Sequence, residues 1–279
     1  MRFGFVTCVQ LGLSCMDEIY RCGGELHLAI TLPDSAARAK SGRVYLDAFC
    51  EQRGIPLVKS PNVNDPAVIA AVQEHKLDWL FVIGWSQIVR AELLAAPTQG
   101  ALGIHPTLLP QGRGRAAIPW AILKGLDRTG VTLFQLDAGV DTGPVVAQRE
   151  LPLSGRSTAT SLYARVQTAH RELIRDVWPR LADGTARPVP QDNATATEWP
   201  GRTPADGAIG ASMTVAEVDR LVRATTRPYP GAFYNVPDGR RLRIWMGVPG
   251  QEDGERIALK DGWYTALEYE WETASESVQ

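Results

Sequence analysis

This 279-residue chain has few cysteines, no long apolar run and little net charge, and each of these features excludes a kind of site or protein. No run approaches the ~20 apolar residues that a membrane-spanning helix needs. The few cysteines lack the CxxC spacing of zinc sites, so we expect no metal. Because Met1 leads almost directly into an apolar strand, we expect a reducing cytoplasm with free thiols. These cysteines are Cys8, Cys15, Cys22 and Cys50.

Charges of the two signs nearly cancel along the chain. Lysine and arginine number 29 against 31 aspartates and glutamates, which leaves a net charge of −2. Such a chain has no long-range positive field to gather a polyanion, so a nucleic-acid partner is disfavoured. Its length exceeds the roughly 100 to 200 residues of a common single domain, which favours one large or two unequal domains.

Short apolar runs alternate with helix-length segments over the first 185 residues, which is typical of parallel βαβ units. The apolar runs do not alternate with polar residues, as expected for strands covered on both faces by helices. Predicted strands are 2–9, 26–32, 77–83, 101–104 and 131–136. Predicted helices are 11–21, 42–52, 65–74, 118–124 and 158–181, the third with Asp65 as N-cap and Pro66 directly behind it.

Beyond residue 185 the helical spacing is lost. Residues 186–203 hold several prolines and small polar residues, which indicates a linker. A helix at 214–225 follows, and short strands are predicted at 231–236, 241–248, 255–259 and 263–269. The sequence therefore predicts a domain over 1–185, a linker over 186–203, a small β-rich, open barrel-like domain over 204–270 and a disordered tail over 271–279.

The segment from residue 101 to residue 148 carries the chemistry. A predicted strand ends at Ile104 and His105 follows at once, where ligands bind in open α/β sheets. A glycine-rich loop after the next strand carries Asp137 and Asp141, and Asp141 is placed to approach His105. Imidazole and carboxylate together can hold and move a proton. The alternative is a hydrogen-bonded structural histidine and a turn-capping aspartate.

The strings GIHPTLLPQGRGRAAIPWAILKG and TGVTLFQLDAGVDTGPVVAQ closely resemble the core signature of folate-dependent formyltransferases. That family includes methionyl-tRNA formyltransferase and the amino-sugar N-formyltransferases. RGIPLVKSPNVNDP, RTPADG and VRATTRPYPGAF are similar to segments of the formyltransferase domain in the bifunctional polymyxin-resistance enzyme. The resemblance covers about residues 1 to 248. It implies a Rossmann-like, mostly parallel sheet with helices on both faces, followed by a small β-rich C-terminal domain.

By the same resemblance, His105 and Asp141 are the catalytic residues, and the donor co-substrate is 10-formyltetrahydrofolate. A crevice formed by two segments is expected to bind the donor. Its expected binding residues are Ile83, Trp85, Ser86, Gln87, Ile88, Gly103, Asp137, Ala138 and Gly139. Candidate contacts to the amine substrate are Gln10, Arg113, Arg115, Arg202 and Tyr229. Many relatives pair through their C-terminal region, so a homodimer is expected.

One departure from the family pattern stands at Gly103, where the family places an asparagine thought to donate a hydrogen bond to the oxyanion. Loss of one such donor commonly costs about 10²- to 10³-fold in rate. A backbone amide, water, Ser86, Gln87 or Gln10 would have to fill in. The alternatives to formyl transfer are a formyl-folate hydrolase and a non-catalytic folate or nucleotide binder.

Three amine acceptors compete at this stage. They are a nucleotide-linked amino sugar, initiator methionyl-tRNA, and an amino acid or peptide-synthesis intermediate. The tRNA enzyme needs a substantial positive face, whereas this chain has a pI near 6.1. RTPADG and PYPGAF also resemble the amino-sugar group, so the amino sugar is favoured.

Overall fold

A computed structural model describes residues 1–39, 43–236 and 238–273 of the protein. The first strands are β1 (Phe3–Val6), β2 (Leu28–Thr31), β3 (Leu57–Lys59), β4 (Trp79–Val82), β5 (Gly100–His105), β6 (Arg113–Gly114), β7 (Arg128–Gln135) and β8 (Val145–Pro152). The later strands are β9 (Glu198–Trp199), β10 (Ala232–Asn235), β11 (Arg241–Pro249), β12 (Glu255–Leu259) and β13 (Gly262–Glu272). The α-helices are α1 (Gln10–Arg21), α2 (Asp47–Arg53), α3 (Pro66–Glu74), α4 (Ala91–Leu94), α5 (Ala117–Leu123), α6 (Ala159–Ala182) and α7 (Val215–Thr225).

Within the described residues, the main sheet has seven strands in the order β3-β2-β1-β4-β5-β7-β8. The pairs from β3 through to β5 are all parallel. Strand β7 then pairs antiparallel with β5, and His105 lies opposite Thr132. The mostly parallel Rossmann-like sheet is confirmed, but the prediction that residues 131–136 continue the parallel βαβ series is wrong.

Alternation along β1 shows how the sheet is covered on both faces. Phe3 and Phe5 lie on one face, where Phe3 meets Trp178 of α6 with ring centroids 4.5 Å apart. Val6 lies on the other face, in a buried cluster with Val68 of α3 and Leu93 of α4. Helices on both faces leave no room for polar side chains in β1, which explains its continuous apolar run.

Several boundaries differ from those predicted. Helix α2 begins at Asp47, five residues later than predicted, and Gly42 lies outside the described residues. The predicted start of α3 is confirmed, with Asp65 as N-cap and Pro66 at the first turn. The Asp65 carboxylate makes no capping hydrogen bond to the helix N–H groups. It accepts a hydrogen bond from the Ser60 hydroxyl instead.

The C-terminal part forms an antiparallel sheet of four strands, as far as the described residues show, in the order β10-β11-β13-β12. Helix α7 packs on it, and Thr214 with Glu217 makes a capping box at the helix start. Buried Ile244 and Tyr264 belong to its core. The small β-rich domain is therefore confirmed. Strand β13 includes residues 271 and 272, predicted as tail, whereas residues 274–279 lie outside the described residues.

Contacts between Cα atoms divide the chain into two units. Unit 1 comprises Met1–Arg113, Gly130–Glu150 and Val166–Thr197, and unit 2 comprises Gly114–Thr129, Leu151–Arg165 and Glu198–Gln279. Each unit therefore contains segments that are distant in sequence. The domain limits at residues 185 and 203 stay a prediction.

The cysteines form no disulfide, and all of them lie in the described part of unit 1. Burial raises the pKa of Cys15 to about 12 and that of Cys50 to about 11, so both stay protonated thiols at neutral pH. Across residues 1–39, 43–236 and 238–273, no helix combines the length and apolar character that a membrane span requires.

Candidate active site

His105 is the last residue of β5 rather than the first residue after it, and its side chain is buried. Its Nε2 lies 2.8 Å from the carbonyl oxygen of Gly112. Because a carbonyl oxygen only accepts, Nε2 carries a hydrogen in both charge states of the ring. The Gly112 backbone is itself held by a 2.9 Å bond from its N–H to the Thr197 hydroxyl. Nδ1 is therefore the ring nitrogen that remains available for proton transfer.

Asp141 supplies the group that faces Nδ1. Its Oδ2 lies 3.4 Å from His105 Nδ1, and both side chains are largely shielded from solvent. A proton on Nδ1 turns this contact into an ion pair in a partly desolvated setting, where electrostatic attraction is stronger than in water. The structure thus brings together the two residues that the sequence singles out, with His105 Nδ1 directed at the carboxylate.

Asp141 reaches His105 by a route that the sequence does not reveal. Because β7 is antiparallel to β5, the loop after β7 starts beside Ala101, whose carbonyl accepts the Leu136 N–H at 2.8 Å. The loop then turns back toward His105, and Asp141 adopts the left-handed conformation with φ of 54°. That conformation is uncommon for a residue with a Cβ and costs of order 1 kcal/mol. Such a conformation persists where surrounding contacts hold it.

Two further contacts shape this loop. Asp137 Oδ1 accepts from the Gly139 N–H at 3.0 Å and from the Thr142 hydroxyl at 2.6 Å. Gly143 passes so close to β7 that a Cβ there would lie 1.8 Å from the Gln135 carbonyl oxygen. Glycine is therefore required at 143 for the loop to fold back onto the strand.

His170 of α6 lies close enough to His105 to interact with it electrostatically. Burial lowers the pKa of His170 from its ordinary 6.5 to about 4, and its Nδ1 donates to the Val166 carbonyl at 2.7 Å. His170 is therefore neutral at neutral pH. It therefore adds no positive charge near His105.

A cleft of about 320 Å³ opens beside this pair within unit 1. One wall runs from Val82 to Val89 and the other from Asp137 to Asp141, with Gly103 and Leu136 between them. Residues from the predicted donor-binding set that line it are Trp85, Gln87, Ile88, Gly103, Asp137, Ala138 and Gly139. The cleft therefore coincides with the crevice expected from the sequence. That these lining residues bind the formyl donor stays a prediction.

Two members of that set stand apart from the cleft lining. Ile83 is 1% exposed and belongs to the core, and Ser86 is not among the lining residues. Trp85 both packs against the apolar core cluster and lines the cleft. Ile88, at 80% exposed, offers an apolar surface at the rim.

The amide of Gln87 is already engaged with the segment that precedes α3. Its Oε1 accepts from the Val63 N–H at 2.8 Å and from the Trp85 indole at 3.2 Å, and its Nε2 donates to the Pro61 carbonyl at 2.7 Å. Gln10 lies in a different depression of unit 1, with Asp17 and Arg171, and donates to Ser14. Neither side chain is directed at His105 as a replacement donor.

A neighbouring side chain occupies the space that a side chain at position 103 would fill. A Cβ built on Gly103 would lie 2.7 Å from Leu136 Cδ2 and 3.5 Å from Phe134 Cε1. The floor of the cleft is therefore apolar where the family pattern places an amide. A donor for an oxyanion here has to come from a group other than the side chain of residue 103.

The residues predicted to contact the amine substrate are not gathered at one place in the described part of unit 1. Arg113 is buried and donates to Gln191 Oε1 and Asn193 Oδ1, each at 2.8 Å from Nη2. Arg115, Arg202 and Tyr229 belong to unit 2. The substrate-binding roles of these residues and of Gln10 stay predictions.

Within unit 2, those residues have contacts of their own. The Arg202 guanidinium lies over the Trp120 ring at 5.1 Å and donates to the Asp206 carbonyl at 2.7 Å. The Arg115 N–H donates to the Trp199 carbonyl at 3.0 Å. Burial raises the pKa of Tyr229 to about 12, so this phenol stays neutral.

Sequence reasoning missed Gln191, which donates to the backbone carbonyls of Asp141 at 2.9 Å and Gly143 at 2.7 Å. It also missed the role of Thr132 in the Thr-Gly-Val-Thr string. The Thr132 hydroxyl accepts from the Leu109 N–H at 3.1 Å and donates to the Thr107 carbonyl at 2.7 Å, which fixes the turn after His105. The only sequence signal for Thr132 was its place in the string that resembles the family signature.

An open α/β sheet with a proton-holding pair at a strand end and a cleft beside it defines an enzyme of the Rossmann-like class. Residues 24–178 match the family model described as formyl transferase, and residues 202–266 match the model of the formyl transferase C-terminal domain. The chain belongs to the formyl transferase family and is an N-formyltransferase.

Solved structures show the same fold at low sequence identity. WlaRD, a sugar 3N-formyl transferase crystallised with dTDP and 5-N-formyl-THF, is 16% identical with a TM-score of 0.70, over 96% of this chain and 98% of its own. An N-formyltransferase from Helicobacter canadensis, in complex with folinic acid and dTDP-3-aminofucose, is also 16% identical with a TM-score of 0.70, over 97% and 100%. Methionyl-tRNA formyltransferase from Clostridium thermocellum is 18% identical with a TM-score of 0.62, over 98% and 99%.

Proposed function

We propose that this protein transfers the formyl group of 10-formyltetrahydrofolate to the primary amine of a nucleotide-linked amino sugar, with His105 and Asp141 as its catalytic pair. The observation that carries the proposal is the 3.4 Å contact between His105 Nδ1 and Asp141 Oδ2 at the edge of the cleft. The family match supports the transferred group, and similar structures crystallised with formyl-THF or folinic acid support the donor.

The reaction is an acyl transfer. A neutral amine attacks the formyl carbon, a carbon–nitrogen bond forms, and a tetrahedral species carries negative charge on the former carbonyl oxygen. The amine nitrogen then loses a proton, and the bond from carbon to the carrier nitrogen breaks as that nitrogen gains a proton. The products are the N-formylated amine and tetrahydrofolate.

In this proposal His105 handles the proton. Its Nε2 is committed to Gly112, so Nδ1 accepts the amine proton directly or through a water molecule. Asp141 stabilises the imidazolium that results, and Nδ1 then returns the proton to the leaving nitrogen. General acid–base catalysis of this kind contributes about 10²- to 10⁴-fold.

The oxyanion is the second requirement of the reaction. With Gly103 and Leu136 at the floor of the cleft, no side-chain amide takes the place of the family's asparagine there. The protonated Nδ1 of His105 is then a further donor for the developing charge. Backbone N–H groups along the two walls supply the remaining stabilisation and also meet the donor and acceptor edge of the pterin.

The choice of acceptor rests on charge and on similarity. Two of the structures reported above were crystallised with dTDP or a dTDP-linked amino sugar. A balanced chain with a net charge of −2 lacks the positive field that a tRNA requires. An amino acid or peptide-synthesis intermediate is the remaining acceptor, and pairing of two chains stays a prediction.

A single assay separates these possibilities. The purified protein is incubated with 10-formyltetrahydrofolate alone, with a nucleotide-linked amino sugar, with methionyl-tRNA, and with free amino acids, and tetrahydrofolate release is followed. Turnover only with the amino sugar is the expected result. Turnover without amine would identify a hydrolase, and saturable folate binding without any turnover would identify a binder.

A further inference from the structure

Three side chains outside the cleft form a chain of hydrogen bonds that ends on the backbone of Asp141. Arg113 is 5% exposed and donates from Nε at 3.1 Å and from Nη2 at 2.8 Å to Gln191 Oε1. Its Nη2 also donates to Asn193 Oδ1 at 2.8 Å. Gln191 Nε2 in turn donates to the carbonyls of Asp141 and Gly143. All these residues belong to unit 1.

The orientation of the Gln191 amide is fixed by the chemistry of its neighbours. A guanidinium only donates, so the amide oxygen must face Arg113. Backbone carbonyls only accept, so the amide nitrogen must face Asp141 and Gly143. A flipped amide would bring two donors together on one side and two acceptors on the other. Arg113 therefore aligns Gln191, and Asn193 helps to align Arg113.

Asp141 needs such support because its backbone lies in the left-handed region with φ of 54°. The contacts of Asp137 also stabilise the loop, at Gly139 and at Thr142, but do not reach the backbone of Asp141. Gln191 binds at Asp141 itself and at the glycine two residues further on. Fixing both carbonyls limits rotation about the bonds that aim the Asp141 carboxylate.

We infer that Gln191 is a positioning residue for the catalytic pair, because it holds the Asp141 backbone in the conformation that directs the carboxylate at His105. This inference rests on the proposed function, since it assigns Gln191 a role only through Asp141. A displacement of about 1 Å in a catalytic group can cost about 10²-fold in rate. Loss of this tie is therefore expected to lower turnover and leave donor binding nearly intact.

The test compares Gln191→Glu with Gln52→Glu. Glutamate keeps the shape of residue 191 and can still accept from Arg113, but it cannot donate to the two carbonyls. Gln52 is an exposed glutamine whose Oε1 also accepts from an arginine, Arg53, and it lies in α2. We expect Gln191→Glu to lower kcat about 10- to 100-fold with the KM for 10-formyltetrahydrofolate within about twofold. Gln52→Glu should match the unmodified protein in both.

A second comparison distinguishes positioning from a general structural role. In an Asp141→Asn background, Gln191→Glu should change the residual kcat less than about twofold, because its target is already disabled. A full further loss in that background would overturn the inference. Gln191→Met, which adds no charge but loses both the donor to the two carbonyls and the acceptor of Arg113, serves as the second variant if Gln191→Glu does not fold.

His105→Asn in the same assay keeps the two proposals apart. If His105→Asn is inactive and both Gln191 variants turn over normally, the inference about Gln191 fails and the proposed function stands. If His105→Asn retains normal turnover, the proposed function fails, and the role assigned to Gln191 fails with it. An inactive His105→Asn together with a kcat-specific loss in Gln191→Glu supports both.

Discussion

Leu136 decides what residue 103 can be. A Cβ at position 103 would meet Leu136 Cδ2 at 2.7 Å, so any side chain there displaces Leu136 within the cleft. Asparagine can return to this position only if Leu136 moves. The glycine and the leucine are therefore a matched pair, and the oxyanion has to be stabilised by other groups.

We predict that Gly103→Ala raises the KM for 10-formyltetrahydrofolate about fivefold and changes kcat much less. Overpacking costs roughly 1 to 3 kcal/mol, and here the displaced side chain, Leu136, forms part of the floor of the cleft. Steady-state kinetics measure the effect, with Gly155→Ala as the control, because a Cβ at Gly155 meets no atom within 4 Å. An unchanged KM in Gly103→Ala would show that Leu136 does not border the donor.

His170 makes the protein sensitive to acid. Its pKa of about 4 in the folded protein lies below the ordinary value of 6.5, so the unfolded chain binds more protons between these two values. The free energy of unfolding therefore falls as the pH drops from about 6.5 to about 4, by about 3 kcal/mol in total. Burial also lowers the pKa of His27, which acts in the same direction.

We predict that His170→Asn flattens this acid-dependent fall. Urea unfolding at a series of pH values between 7 and 4 measures it, and the comparison concerns the slope with pH, not the absolute stability. Asparagine cannot titrate, so only the part that belongs to His170 should disappear. An identical pH dependence in both proteins would mean that His170 is accessible to protons in the folded state.

At the scale of elements, β7 holds the turn that follows β5. Thr132 is fully buried, and its hydroxyl bonds the Leu109 N–H, the Thr107 carbonyl and Gln148 Nε2. These bonds tie the turn that carries Gly112 to the strand opposite His105. The threonine of the Thr-Gly-Val-Thr string is therefore a fixed point for the His105 side of the site.

We predict that Thr132→Val lowers the free energy of unfolding by about 3 kcal/mol, because it leaves buried donors and an acceptor without partners. Thr129→Val on the same strand is the control, since the Thr129 side chain is also buried and takes no part in the hydrogen bonds of Thr132. Chemical denaturation compares the two variants. Equal losses would show that burial of a threonine, and not its hydrogen bonds, sets the cost.

Apolar runs predicted the central strands well because burial on both faces leaves a continuous signature, as in β1, β2 and β4. Strand β8 was not predicted, since Gln148, Arg149 and Glu150 interrupt its apolar residues and it is exposed on one side. The three-residue β3 is too short to carry a pattern. The direction of β7 depends on its pairing with β5, which no local pattern encodes.

The candidate site likewise has residues that the sequence predicted and residues that it did not. His105 and Asp141 were predicted because strand-end residues and a family string mark them. Gln191 was not, because it lies in a proline-containing segment without periodicity, 50 residues from Asp141. Its role depends on a distant contact that appears only when the chain folds. Leu136 was missed because an apolar residue at a strand end is indistinguishable from core.

At the scale of the whole molecule, charge balance limits the partners. With a net charge of −2 and a pI near 6.1, the protein offers little counterion release on a polyanion. We predict that methionyl-tRNA binds no more tightly than a Kd of about 10⁻⁴ M at physiological salt. Filter binding across a salt series measures it. A Kd below micromolar with a steep salt dependence would return tRNA to the list of acceptors.

The account as a whole depends on His105 and Asp141 acting as one unit. A double-mutant cycle tests this most directly, with kcat/KM for 10-formyltetrahydrofolate and the best amine acceptor measured in His105→Asn, Asp141→Asn and the double variant. We predict a loss of about 10³-fold or more in His105→Asn and a double variant scarcely worse than that single variant, because each residue is useless without the other. Near-normal activity in His105→Asn, or losses that simply multiply, would contradict the account.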